Sequence, residues 1–234
     1  MSPRVVAVVP AFDAEASVSE VVRGLVQVFP PDGAPRVLVV DDGSTDGTSR
    51  AAEEAGALVV RHPQNRGKGA ALRTGFERAA RMSARMAVTV DADGQHRAED
   101  ARRLAEHDAP PEALVLGVRD LVRDGAPKPN RFSNGISNFF LSRFSGLPLA
   151  DTQCGLRRYP LPRALALGGS ANGYAYEAEM VLLAARAKIP IVEVPVRAFY
   201  PPEHLRVTHF DSVKDPARIV FHVVRTVLAP PPRP

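Results

Sequence analysis

The chain has 234 residues, of which 45% are hydrophobic and 24% charged, as in ordinary soluble globular proteins. Its 30 Lys and Arg residues against 26 Asp and Glu give a formal charge of +4, without a dense basic cluster, so nucleic-acid binding is excluded. The small excess suits an anionic partner such as a diphosphate or a phospholipid headgroup.

Cys154 is the single cysteine and cannot form an internal disulfide, which predicts a cytoplasmic protein. The apolar run at residues 5–9 is too short for a signal-peptide core of about 7–15 residues. No apolar run approaches the roughly 18 residues that span a bilayer. We expect a protein that is free in the cytoplasm or peripheral at the inner face of the membrane. The oligomeric state, monomer or homo-oligomer, stays open.

Short β-branched runs alternate with helical stretches in the first half of the chain. The predicted strands are Val5–Val9, Val37–Val40, Leu58–Val60, Met86–Val90 and Ala113–Gly117. The predicted helices are Glu15–Phe29, Asp46–Glu54, Gly69–Ala80 and Glu99–Glu106. This order predicts a single-domain α/β fold, with a doubly wound, mainly parallel sheet flanked by helices.

The pattern changes after Gly117. Residues 118–135 are rich in Gly, Pro and Asn and predict a long loop. The elements expected next are a helix at Ser137–Phe144, a strand at Leu156–Tyr159, a helix at Glu177–Ala187 and a strand at Ile191–Val196. One domain over residues 1–228 would end in an amphipathic helix at about 211–228, and residues 229–234 would form a disordered proline-rich tail.

Polar clusters follow three of the predicted strands, at the carboxyl ends where open α/β sheets bind ligands. The clusters are Pro10-Ala11-Phe12-Asp13, Asp41-Asp42-Gly43-Ser44-Thr45-Asp46 and Asp91-Ala92-Asp93-Gly94-Gln95-His96. We expect all three to converge on one edge of the sheet.

The third cluster predicts a metal site. Asp91 and Asp93 can approach a common point because Gly94 permits the backbone to turn. Carboxylates suit Mg²⁺ or Mn²⁺, and Gln95 could add a carbonyl oxygen. A simple polar turn is the alternative for this motif taken by itself.

The second cluster and the segment after the third strand predict nucleotide contacts. Asp46 suffices to cap the next helix, which leaves Asp41 and Asp42 to accept a base imino N–H or ribose hydroxyls. Lys68, between two glycines at a helix start, favours anion binding over a merely solvated helix end. Neither a Walker P-loop nor a Gly-x-Gly-x-x-Gly dinucleotide motif is present.

Together with Asn65-Arg66-Gly67-Lys68-Gly69 and Asp151-Thr152-Gln153-Cys154-Gly155-Leu156-Arg157, these clusters resemble family-two glycosyltransferases. The last segment is similar to the polyprenyl-phosphate branch, the dolichyl-phosphate mannose synthase-like enzymes. The resemblance covers residues of about 4 to 225. It implies a GT-A fold and an inverting, metal-dependent transfer of a hexose from a UDP- or GDP-sugar to a polyprenyl phosphate.

The resemblance also implies residue roles. Asp93 and Gln95 would hold the metal, Asp42 the nucleoside, and Asp91 the ribose or the sugar diphosphate. The donor-binding set would be Pro10, Ala11, Phe12, Asp41, Asp42, Lys68, Asp91, Arg119, Arg206 and His209, with the last three near the donor and acceptor phosphates. Where relatives have Asn-Glu this chain has Asp13-Ala14, which puts one nucleotide contact in doubt.

The acceptor decides whether a general base is needed. A lipid phosphate is already ionised near neutral pH, whereas a hydroxyl acceptor requires a positioned carboxylate. Asp151, Glu177 and Glu179 are the candidates. The predicted catalytic set is Asp91, Asp93, Asp151, Glu179 and Arg131, with residues 118–145 as an acceptor-side insert. The alternatives are a glycosyltransferase acting on a saccharide or small-molecule hydroxyl, and a non-catalytic nucleotide-sugar-binding module.

The predicted C-terminal helix has two interpretations. Its apolar face, which includes Phe221, could lie on an anionic membrane that holds the acceptor. It could equally pack on the core of the domain, since amphipathicity is common to both.

Overall fold

The computed structural model describes residues 4–200 and, near the C-terminus, residues 219, 221–223 and 225–226. Its strands form one sheet in the order β3-β2-β1-β4-β6-β5-β7. Their bounds are β1 Val5–Ala11, β2 Val37–Asp41, β3 Leu58–Arg61, β4 Met86–Thr89, β5 Leu114–Arg119, β6 Arg157–Pro160 and β7 Ile191–Val196. Only β6 among these runs antiparallel to its neighbours, β4 and β5. The predicted mainly parallel sheet is confirmed.

Helices cover both faces of this sheet. They are α1 Glu15–Val28, α2 Thr48–Glu54, α3 Lys68–Arg81, α4 Ala98–Ala105, α5 Lys128–Ser145, α6 Leu161–Leu167 and α7 Ala175–Arg186. Alternate residues of β1 point to opposite faces, so Val6 and Val8 join a core with α3 and α7, while Ala7 and Val9 join a core with α1 and α4. This confirms the doubly wound α/β arrangement.

The predicted loop over residues 118–135 is wrong in its second half. The helix α5 begins at Lys128, nine residues before the predicted start at Ser137. Pro129 lies in its first turn, where the missing N–H costs no hydrogen bond and the fixed φ suits a helix. The proline was therefore a helix start signal rather than a sign of a loop.

The C-terminal helical residues pack on the core with a face different from the predicted one. Ile219 and Val223 are buried in the core on the α3 and α7 side of the sheet. Phe221, predicted on the apolar face, is 68% exposed. Arg206, His209 and the tail 229–234 lie outside the described residues. No helix in the described ranges is long and apolar enough to cross a membrane.

Candidate active site

A cavity of about 600 Å³ lies at the carboxyl edge of the parallel strands, where the three polar clusters were expected to meet. Its lining includes the predicted residues Pro10, Ala11, Phe12, Asp42, Lys68, Asp91, Asp93, Gln95 and Arg119. Asp41, Arg131, Asp151 and Glu179 do not line it. The segments after β1, β2 and β4 therefore converge as predicted, and four of the predicted side chains lie behind or beside the site.

Lys68 joins two carboxylates on the floor of the cavity. Its Nζ lies 2.7 Å from Asp91 Oδ1 and 3.0 Å from Glu177 Oε2. Burial by itself would lower the pKa of Lys68, but the two carboxylates raise it above its ordinary value, and the ring of Tyr174 lies 5.5 Å from the ammonium. Burial likewise opposes ionisation of Asp91, yet the Lys68 charge holds the pKa of that carboxyl low. Both groups are charged at neutral pH.

Glu177 has one carboxylate oxygen in an ion pair with Lys68 and one that is buried without a hydrogen-bond partner. Its side chain is 7% exposed, and Oε1 has no hydrogen-bond partner among the described residues. A buried acceptor without a donor is costly, by about 1–3 kcal/mol. Glu177 is among the residues that line the cavity, but this oxygen is itself buried.

Asp93 is exposed at the cavity, and Gly94 after it has φ +74°, the left-handed turn expected from the sequence. Asp93 Oδ1 accepts the backbone N–H of Gln95 at 3.0 Å. Partial burial and the negative charge of Asp91 raise the pKa of Asp93. Two carboxylates that repel each other, beside the side-chain amide of Gln95, form an oxygen-rich set that fits a divalent cation. The described ranges contain no group of three or more His, Cys, Asp or Glu residues that could hold a metal ion.

Gly155 leaves room for the Asp91 carboxylate. A Cβ at position 155 would lie 2.2 Å from Asp91 Oδ2 and 2.7 Å from its Cγ. The carbonyl of Gly155 also accepts the Thr89 hydroxyl at 2.7 Å, which ties the segment before β6 to β4. This close approach gives the Asp151–Arg157 motif a physical reason for its glycine.

Asp42 is buried and holds the loop that leads into α3. Its carboxylate accepts the backbone N–H groups of Arg66, at 3.0 Å, and Gly67, at 2.7 Å. His62 Nδ1 lies 2.6 Å from Asp42 Oδ1, and its Nε2 lies 2.9 Å from the Thr74 hydroxyl. Asp42 therefore positions the start of α3, which carries Lys68, and borders the cavity as well. His62 was missed from the sequence, although it follows β3 directly and a strand-end search would include it.

Asp41 and Asp13 support neighbouring loops. Asp41 Oδ1 accepts the Ser44 N–H at 2.8 Å, and its other oxygen accepts the Ser49 hydroxyl, away from the cavity. Asp13, with φ +44°, accepts the Thr45 N–H at 2.7 Å. Asp13 thus ties the segment after β1 to the segment after β2.

Arg119 projects into the cavity and is held there by Asp151. Its Nε donates to Asp151 Oδ2 at 2.7 Å and its Nη2 to Oδ1 at 3.0 Å, a bidentate pair in which Asp151 is fully buried. Burial opposes the charge of Arg119, but Asp151 raises the pKa of the guanidinium. The remaining Nη1 donates to the Tyr200 hydroxyl at 3.2 Å. Asp151 orients a cation here and has no free oxygen facing a substrate.

Glu179 is likewise engaged in buried hydrogen bonds. Its Oε2 accepts the backbone N–H groups of Ser170 and Ala171, both at 2.8 Å. The next residue, Asn172, accepts the Gly69 N–H at 2.6 Å, so this loop lies against the start of α3. Glu179 supports Lys68 from behind rather than facing the cavity.

His96 and Cys154 form a neutral wall on the β4 and β6 side. Burial and the nearby Arg119 lower the pKa of His96, and burial raises the pKa of the Cys154 thiol to about 12. The sulfur lies 3.7 Å from His96 Nε2. Neither side chain carries a charge at neutral pH.

The chain is similar to known glycosyltransferases. The model for "Glycosyl transferase family 2" matches residues 6–159. An undecaprenyl-phosphate mannosyltransferase of Micrococcus luteus is 30% identical over 204 residues, which cover 82% of this chain and 82% of that protein. A UDP-N-acetylglucosamine–dolichyl-phosphate N-acetylglucosaminyltransferase of Methanococcus voltae is 27% identical over 223 residues, covering 82% and 84%.

A solved structure has a similar fold. Glucosyl-3-phosphoglycerate synthase of Mycobacterium tuberculosis, in complex with Mn²⁺, UDP-glucose and phosphoglyceric acid, superposes with a TM-score of 0.75 at 20% identity, covering 98% of this chain and 81% of that one. This likeness confirms the predicted GT-A fold.

Proposed function

The chain belongs to glycosyl transferase family 2, and on that basis we propose that this glycosyltransferase moves a hexose from a UDP- or GDP-sugar to a polyprenyl phosphate, with inversion and with a divalent metal. Relatives named for transfer to undecaprenyl phosphate and to dolichyl phosphate support the acceptor class. One observation carries the proposal. Each carboxylate that was predicted as a general base already makes an ion pair or hydrogen bonds within the protein.

The acceptor side of the argument follows from those contacts. Asp151 is saturated by Arg119, Glu179 by the 170–171 backbone, and Glu177 is ion-paired with Lys68. A hydroxyl nucleophile needs a free carboxylate to take its proton, whereas a phosphate monoester is already ionised at neutral pH. The Arg119 guanidinium at the cavity suits the oxygens of such a phosphate.

The charge of the cavity supports metal dependence. The carboxylates of Asp13, Asp42, Asp91, Asp93 and Glu177 line it, against the cations Lys68 and Arg119 among the described residues. A donor diphosphate would be repelled by this excess of negative charge unless a cation bound with it. Asp93 and Gln95, with Asp91 beside them, would hold Mg²⁺ or Mn²⁺, which when bound neutralises charge on the leaving diphosphate.

The protein contributes several further functions of its own. Lys68 holds Asp91 in place, and it would supply a fixed positive charge to the donor diphosphate. Asp42 and the residues Pro10, Ala11 and Phe12 line the cavity and would face the nucleoside of the donor.

The test is a transfer assay with purified protein and radiolabelled UDP-glucose, UDP-N-acetylglucosamine or GDP-mannose. Polyprenyl phosphate, phosphoglyceric acid and free sugars serve as acceptors, each with Mn²⁺, Mg²⁺ or chelator. We expect an organic-extractable product of inverted anomeric configuration only with metal and polyprenyl phosphate. A product formed only on hydroxyl acceptors would refute the acceptor assignment, and equal donor binding with chelator would refute the metal.

The matched variants separate the parts of the site. Asp93→Asn should remove the effect of metal on donor binding, while Arg119→Gln should weaken the acceptor and leave metal-dependent donor binding in place. Donor binding without transfer to any acceptor would favour a non-catalytic binding module.

A further inference from the structure

The helix α5 has the opposite amphipathicity from a helix that packs on a protein core. The side chains that it buries are Ser133, Asn134, Ser137 and Leu141. Phe132 and Phe139 are instead 73% and 66% exposed. Large exposed apolar side chains that cluster on one element mark a contact surface, since water disfavours them.

Phe132 and Phe139 belong to one stripe of α5, together with the half-buried Ile136 and the exposed Arg143. Phe132, Ile136, Phe139 and Arg143 recur at spacings of four, three and four residues, which places them on a single helix face. Phe140 lies beside the stripe, with its ring 5.5 Å from that of Phe139. The stripe therefore combines aromatic rings with a cation near its C-terminal end.

The charges of α5 are all of one sign. Lys128, Arg131 and Arg143 are its ionisable residues, and the segment 128–145 contains no Asp or Glu. A helix with aromatic rings on one face and only basic charges around them suits the boundary of an anionic bilayer. Each basic residue near such a surface adds attraction, on the order of fivefold in binding.

The helix also borders the active site. Asn130 and Ser137 line the cavity from α5, so the stripe lies on the other side of an element that bounds the site. We propose that α5 lies in the headgroup region of an anionic lipid bilayer, with Phe132 and Phe139 inserted and its basic residues at the phosphates. The reason for such a contact, access to a lipid-bound acceptor, rests on the proposed function, but the contact itself is a property of α5.

A second copy of the chain is the competing occupant of this face. Two α5 helices packed against each other would bring Lys128, Arg131 and Arg143 of both copies together without a carboxylate on either helix. Like charges at such a contact are unfavourable, whereas lipid phosphates complement them. The charge pattern thus favours the bilayer.

The chain contains no tryptophan, so a single introduced indole can report insertion. Phe139→Trp places it in the stripe, and Leu165→Trp places it at a residue of α6 that is also exposed. Each full-length variant is titrated with phosphatidylcholine vesicles and with vesicles that also contain phosphatidylglycerol, without polyprenyl phosphate. We expect a blue shift of the Phe139→Trp emission with anionic vesicles only, and none for Leu165→Trp.

Further outcomes decide against the proposal. Equal emission shifts of Phe139→Trp and Leu165→Trp with anionic vesicles would overturn it. So would an emission shift of Phe139→Trp that occurs without vesicles and grows with protein concentration, because that indicates self-association. Phe132→Ser/Phe139→Ser should weaken vesicle binding by at least about tenfold. Because Phe132 and Phe139 are both exposed, this double variant should have the same thermal midpoint and the same metal-dependent nucleotide binding as the unmodified chain. Nucleotide binding measured in the same samples separates a failure of this proposal from a failure of the proposed function.

Discussion

The substitution Gly155→Ala tests the close approach between Gly155 and Asp91. A Cβ at position 155 would lie 2.2, 2.7 and 2.8 Å from the three atoms of the Asp91 carboxylate, whereas non-bonded carbon contacts are most favourable at about 3.5–4.0 Å. The obstructing atoms belong to a side chain, so the carboxylate should move and the backbone of β6 should stay. Asp91 would then lose its 2.7 Å contact with Lys68.

The expected magnitude follows from the contact with the donor that is proposed for Asp91. A hydrogen bond from the donor to this carboxylate would contribute about 1.5–3 kcal/mol, so its displacement should lower donor affinity by roughly 10- to 150-fold. The extra methyl group should also lower stability by about 1–3 kcal/mol, as overpacking usually does. Isothermal calorimetry with UDP and GDP in the presence of Mn²⁺ measures the first effect, and thermal unfolding the second.

A matched control is available in the same chain. A Cβ at Gly135, on α5, would meet nothing within 4 Å, so Gly135→Ala should leave nucleotide affinity unchanged. If Gly155→Ala bound nucleotide as tightly as Gly135→Ala, the Asp91 carboxylate would not have the role assigned to it.

Three other predictions concern charge and burial in the site. Asp93→Asn should raise the thermal midpoint of the ligand-free protein by about 1–2 °C, because it relieves repulsion from Asp91 at an exposed position. The same substitution should abolish stabilisation by Mn²⁺, and an unchanged Mn²⁺-induced rise of the midpoint in a thermal scan would contradict this. Asp151→Asn leaves the Arg119 cation without its buried partner, so unfolding should show a loss of about 3–5 kcal/mol, and a loss below 1 kcal/mol would mean that the pair is not buried in solution. Burial raises the pKa of the Cys154 thiol to about 12, so at pH 8 only about one thiol in ten thousand is ionised. Mass spectrometry should therefore find Cys154 unmodified by iodoacetamide until denaturant is added. Rapid labelling of the native protein would show that the His96 side of the cavity opens.

Strand positions and the convergence of the polar clusters could be predicted from the sequence because both depend on local patterns. Buried parallel strands appear as unbroken β-branched runs, and their carboxyl ends meet by topology. The start of α5 is not predicted correctly, because Pro129 among Gly and Asn residues indicates a loop, whereas proline in a first turn favours a helix. The antiparallel direction of β6 has no local signal, since it depends on which neighbours the chain reaches.

The roles of individual carboxylates were harder to predict than their positions. Asp151 and Glu179 were predicted as bases because acidic residues near a site are candidates by type alone. The structure engages Asp151 with Arg119 and Glu179 with the N–H groups of residues 170 and 171. Such pairing depends on contacts across 32 and nine residues of sequence, and residue type and spacing do not encode it.

The excess of negative charge in the cavity should couple the binding of the donor to the binding of the metal. Five carboxylates and two cations line it among the described residues, so a diphosphate and a divalent cation each relieve the repulsion that the other would meet. Binding free energies are reciprocal, so the factor by which Mn²⁺ strengthens donor binding must equal the factor by which the donor strengthens Mn²⁺ binding. Asp91→Asn and Asp93→Asn remove one negative charge each, and both should reduce this coupling factor. Asp93→Asn, which removes a proposed metal ligand, should bring the factor to one. Asp91→Asn should reduce it less, because Lys68 already offsets part of the Asp91 charge.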